Sequence, residues 1–186
     1  MTDHRHPDAS RGPLPTAAQV VAEARAWIGT PWQHQAALKG VGCDCTGLVR
    51  GVVGAFRELP PELLRMSYAR TPDGVTLLRL CREHLHEVPA SEVQPGDVLA
   101  FRYTAHPQHL GIAADYVHGG LSIIHALDQQ GVARGKVVEH RLDATWRARI
   151  VGAFRIAETA PVAPSNRCPV LDTGAGAHCR PSEVLA

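Results

Sequence analysis

The sequence predicts an α+β fold in which N-terminal helices pack on one face of a four- to five-stranded antiparallel sheet. Two observations carry this reading. Apolar residues recur at helical spacing up to about residue 87, and beyond residue 95 they alternate or form short runs between turn residues. Helices first and strands afterwards is the α+β pattern. With 186 residues, 45% of them apolar and 20% charged, the chain suits one packed domain.

Each element follows from its residues. Thr16 caps a first helix carrying Val20, Val21, Ala24, Trp27 and Ile28, stopped by Gly29 and Pro31. A polar connection from Thr30 to Gly42 leads to a second helix beginning near Cys45. Its stripe is Cys45, Leu48, Val49, Val52, Val53 and Phe56, and Pro60-Pro61 ends it. Gly47, Gly51 and Gly54 also share this helix, each unfavourable by up to ~1 kcal/mol against Ala. They imply another backbone lying tightly against a central helix pressed on the sheet. A third helix runs from about Asp73 to Glu87, with Leu78, Cys81, Leu85 and Val88 on one face. Pro95-Gly96-Asp97 turns into strand 98–103, and strands follow at 109–115, 121–127, 135–142 and 150–156. Residues 1–15 and 158–186 are proline-rich, lack periodicity and are expected to be disordered, leaving 16–157 as the folded domain.

Composition excludes several classes. The formal net charge of +1 gives no electrostatic handle for nucleic acid, and the basic residues are almost all Arg, with Lys only at 39 and 136. No apolar run approaches the ~20 residues of a membrane span, so no membrane anchor is expected. The first residues lack the apolar region of an export signal. Five cysteines, an odd number, fit synthesis in the cytoplasm better than a disulfide framework, although Cys168 and Cys179 have the option of pairing. Cys43-x-Cys45 is too tight for the usual zinc spacing, and no metal or cofactor is expected.

The strongest local signal is Gly42-Cys43-Asp44-Cys45-Thr46-Gly47-Leu48-Val49-Arg50. A cysteine in the first turn of a helix meets the positive end of the macrodipole and unpaired N–H groups, which favour thiolate and stabilise an oxyanion. A free cysteine is also a common small core residue, so Cys45 alone decides nothing. A thiolate nucleophile needs a base, and the base an orienting partner. His109 and His125 lie in strands, 16 positions apart across one turn containing Gly119-Gly120. That even spacing puts both rings on the same sheet face, within reach of direct opposition.

Gly29-Thr30-Pro31-Trp32, Asp44-Cys45-Thr46-Gly47-Leu48-Val49, Pro95-Gly96-Asp97, His109-Leu110-Gly111-Ile112 and Ile124-His125-Ala126 occur in that order. The ordered set resembles the NlpC-type cell-wall cysteine endopeptidases, which have a compact papain-like fold. The run from His34-Gln35-Ala36 to Cys45, with Gly152-Ala153-Phe154-Arg155, looks most like the short forms of tailed phages and gene transfer agents. The resemblance covers about 16–157. It implies Cys45 as nucleophile, His109 as general base and acid, and His125 as the residue orienting His109. It also implies a substrate site of Asp44, Trp32, Thr46 and His34, with Asp44 holding the substrate's amino group. The family usually has an aromatic hydroxyl where this chain has Trp32, and serine where it has Thr46.

The implied substrate is a peptidoglycan stem peptide cut at a γ-D-glutamyl-diaminopimelate bond, and the implied partners are phage or gene-transfer-agent tail proteins. Such an enzyme would act in the periplasm or cell wall after delivery by a particle. Two alternatives stay open: a non-catalytic tail-assembly protein, and an acyltransferase or amidase using the same cysteine–histidine pair.

Overall fold

The computed structural model describes residues 14–71, 73–128 and 135–156. The expected terminal tails fall almost wholly outside them, as do Cys168 and Cys179. In chain order the elements are α1 (Ala17–Arg25), β1 (Ala37–Leu38), β2 (Gly42–Cys43), α2 (Cys45–Gly54), α3 (Pro61–Leu64), α4 (Thr76–His84), β3 (His86–Val88), β4 (Val98–Arg102), β5 (Pro107–Asp115), β6 (Leu121–Leu127), β7 (Lys136–Arg141), α5 (Ala144–Arg147) and β8 (Ile150–Arg155). The main sheet is antiparallel and has six strands in the order β3-β8-β4-β5-β6-β7, while β1 and β2 form a separate hairpin.

The α+β architecture agrees with the sequence reading, and the strand count exceeds it. The sixth strand is β3, which the apolar spacing had assigned to the end of the third helix. Leu85 turns to an extended conformation (φ −133°, ψ 161°), ending α4. His86, Glu87 and Val88 then pair with Arg155, Phe154 and Ala153 of β8. Pairing to an open sheet edge thus overrides the continuing helical spacing of Leu85 and Val88.

Both faces of the sheet are covered. Leu110, Ile112, Ala114 and Ile124 face a core built with Val20, Val21 and Ala24 of α1 and Leu48, Val49 and Val52 of α2. On the other face Leu99, Phe101, Ala113 and Ile123 form a smaller core closed by Trp146 of α5. The first helix starts as expected: Thr16 accepts from the Gln19 N–H, and the Gln19 side chain accepts from Thr16 N–H in return, a capping box. Ile28, expected on its apolar stripe, is instead exposed.

Close approach explains the glycines of α2 only in part. A Cβ on Gly47 would lie 1.8 Å from the Ala36 carbonyl oxygen, so backbone does press there, although from the loop entering β1 and not from the main sheet. On Gly51 it would strike the Trp27 ring at 2.1 Å, and on Gly54 it would meet only Leu59 Cδ1 at 3.3 Å. The start of α2 is the most tightly held part of the helix. Asp97, only 1% exposed, anchors the sheet by pairing with Arg155 at 2.8 Å, joining the start of β4 to the end of β8.

Candidate active site

Asp44 is the N-cap of α2 and its carboxylate accepts from the Gly47 N–H at 2.8 Å. That bond fixes the helix start and sets Cys45 at the first helical position. A cleft of about 810 Å³ opens over this point, bordered by Trp32, His34, Asp44, Cys45, Thr46 and His109. All the predicted substrate-site residues and two of the three predicted catalytic residues therefore share one cleft. His125 lies behind His109, fully buried.

The two histidines hydrogen-bond, His109 Nε2 lying 2.9 Å from His125 Nδ1. They share a sheet face as expected, but they are not directly opposed. The β5–β6 register pairs Ile112 with Ile124, so the position across from His125 is Gly111, and His109 is its diagonal neighbour. The His109–His125 bond leaves Nδ1 of His109 as the nitrogen available to a thiol. The pair is wrapped by aromatic rings: Phe101 and Tyr103 lie 6.1 and 5.3 Å from His109, and Trp146 lies 4.8 Å from His125.

Burial sets the charge state of the site. It is the main influence raising the Cys45 thiol, to about 11, and the Asp44 charge adds to it. The Leu110 N–H and the hydroxyl and N–H of Thr46 hydrogen-bond the sulfur and offset part of this rise. Burial likewise lowers His109 to about 3 and His125 to about 2, with His109 and His140 lowering His125 further. The expectation of a thiolate depressed by the helix N-terminus is thus corrected. Burial thus acts on both groups in the same sense, disfavouring the charged form of the thiol and of the imidazole.

The substrate-site residues form a second cluster around Asp44. Its Oδ2 accepts from the Gln35 N–H at 2.7 Å and lies 3.4 Å from His34 Nδ1. Tyr68 OH reaches Oδ1 at 2.8 Å and Oδ2 at 2.7 Å. Trp32 stacks near His34, with ring centroids 6.3 Å apart, and Arg70 lies 4.8 Å over the Trp32 ring while pairing with Asp128. Sequence reasoning missed Tyr68. It supplies beside Asp44 the aromatic hydroxyl that Trp32 lacks, from an irregular segment with no periodic signal. It also missed His140, whose Nδ1 lies 3.1 Å from His125 Nε2. The alternation of β7 was the available signal, since Val138 faces His125 and His140 is two residues on.

The NlpC/P60 family model matches residues 29–155. Among solved structures, an NlpC/P60 family protein from Bacillus cereus aligns with 18% identity and a TM-score of 0.54, over 77% of this chain and 41% of that one. NlpC1 from Trichomonas vaginalis aligns with 16% identity and a TM-score of 0.50, over 80% of this chain and 46% of that one. The NlpC/p60 domain of the peptidoglycan hydrolase SagA aligns with 26% identity and a TM-score of 0.48, over 75% of this chain and 98% of that domain. The chain spans less than half the length of the Bacillus and Trichomonas proteins. It matches no curated protein. A family match over well more than half of the chain, on a fold shared with family structures, makes this chain a member of the NlpC/P60 family.

Proposed function

We propose that the chain is a cysteine peptidase that hydrolyses peptide stems of bacterial peptidoglycan at the γ-D-glutamyl-diaminopimelate bond. The observation that carries this reading is one cleft bordered by Cys45, at the first turn of α2, and by His109, itself bonded to a buried His125. Family membership supports the substrate class.

In this reading the Cys45 sulfur attacks the scissile carbonyl as its proton passes to His109 Nδ1. The Cys45 N–H, without an intrahelical partner at its helix position, donates to the developing oxyanion. The imidazolium returns its proton to the leaving amine, giving a thioester. Water, deprotonated by His109, then releases the acid and restores the thiol. Asp44 and Tyr68 hold the substrate's amino group. The sequence run from His34 to Cys45 supports use in a phage or gene-transfer-agent tail that opens murein in the periplasm or wall for DNA entry.

Incubation with the stem tripeptide L-alanyl-γ-D-glutamyl-diaminopimelate, followed by mass spectrometry, tests the reading. Free diaminopimelate and L-alanyl-D-glutamate should form with the wild type and not with Cys45→Ala or His109→Ala. An uncut tripeptide, or cleavage persisting in Cys45→Ala, would overturn it.

A further inference from the structure

His140 extends the histidine pair into a row of three. Its Nδ1 lies 3.1 Å from His125 Nε2, while His125 Nδ1 lies 2.9 Å from His109 Nε2. His125 is fully buried and His140 is exposed on β7. Each neutral imidazole has one N–H and one lone pair, so a neutral row can run in only two directions. In one, every ring carries its proton on Nε2 and His109 keeps a bare Nδ1. In the other, every proton sits on Nδ1 and the lone pair that a thiol needs is gone.

We infer that His140 is a positioning residue: by accepting the Nε2–H of His125 it fixes the row in the first direction and keeps His109 Nδ1 free to take a proton. The inference rests on the reading of His109 as the base. Its physical core is the buried Nε2 of His125, whose partner in the structure is His140 Nδ1. Without that acceptor a buried N–H would be stranded, a costlier defect than an unpaired lone pair. The protons would then shift to Nδ1 along the row, blocking the base from a site about two rings away.

Tautomers are read directly from two-bond ¹H–¹⁵N NMR spectra of the full chain labelled with ¹⁵N-histidine, at pH 7.5 without substrate. The wild type should show His109 protonated on Nε2 and bare on Nδ1. His140→Phe, which cannot accept, should move the His109 proton to Nδ1. His140→Asp, which can only accept, should hold the wild-type arrangement. On the stem tripeptide, kcat of His140→Phe should fall at least about tenfold, within the loss of up to ~10⁴-fold that a wrongly tautomerised base causes, with partial recovery in His140→Asp.

A wild-type His109 protonated on Nδ1 would overturn the inference, as would wild-type tautomers in His140→Phe or a reversed row in His140→Asp. If His140→Phe does not fold, the wild-type and His140→Asp spectra decide. If the wild type leaves the tripeptide uncut, the proposed activity fails, while the tautomers still decide the role of His140.

Discussion

Continued one step past Ile112 and Ile124, the β5–β6 register sets Gly111 across from His125, and its missing side chain leaves room for the histidine. A Cβ on Gly111 would lie 3.2 Å from His125 Cβ and 2.6 Å from the Ile123 side chain. The empty position lets His125 lean along the strand to its diagonal partner His109. Gly111→Ala should therefore displace His125 and Ile123, with a stability loss of about 1–3 kcal/mol from overpacking. Peptide cleavage should fall further than that loss explains. Urea unfolding beside tripeptide kinetics would show this, and full activity in a stable Gly111→Ala protein would contradict it.

Tyr68 is the hydroxyl partner of Asp44, and Tyr68→Phe isolates that role. The ring would keep its edge contact with His34, at 5.3 Å between centroids, while both bonds to the carboxylate disappear. Hydrogen bonds to charged groups contribute about 1.5–3 kcal/mol, so a rise in KM of about tenfold to somewhat over a hundredfold is expected. The value of kcat should change less than KM, because the hydroxyl is bonded to the Asp44 carboxylate that the reading assigns to substrate binding. Steady-state kinetics on the tripeptide separate the two constants. A fall in kcat at constant KM would place Tyr68 in the chemistry instead.

Acid should destabilise the protein through its buried histidines. His109 and His125 are lowered to about 3 and about 2 from an ordinary 6.5, so below pH 6.5 the unfolded chain binds protons that the folded one refuses. Their contribution to stability is complete above pH 6.5 and drains away as pH falls toward 3. One such histidine accounts for about 1.4 kcal/mol per pH unit, or about 2 kcal/mol between pH 6.5 and 5. Urea unfolding across this interval should show the loss, with a shallower slope in His125→Gln. Equal slopes in the two proteins would contradict the assignment.

Much of this site is legible in the sequence because its parts are local. Asp44 before an apolar helical stripe marks the start of α2, and with it the place of Cys45. Even spacing across one turn puts His109 and His125 on one face. Features that depend on tertiary context were not legible. Leu85 and Val88 keep helical spacing although an open edge of β8 draws residues 86–88 into a strand. His140 needed the β6–β7 register, and Tyr68 lies in irregular backbone where periodicity says nothing. The rise of the thiol also escaped, since the burial that is its main cause exists only in the folded site.

In the proposed mechanism Cys45 is the reactive thiol and His109 makes it so. Cys43 and Cys81 are buried, and burial pushes both up to about 12, whereas Cys45 opens on the cleft. Brief iodoacetamide treatment of the native protein between pH 6 and 9, followed by peptide mapping, tests the claim most directly. Among these three cysteines Cys45 should be labelled first, and its rate should climb with pH, because a thiol held near 11 supplies more thiolate as pH rises. In His109→Ala the Cys45 rate should drop about tenfold or more, in the range that a positioned base contributes. Equal labelling of Cys43 and Cys45, or a wild-type rate at Cys45 in His109→Ala, would contradict the account.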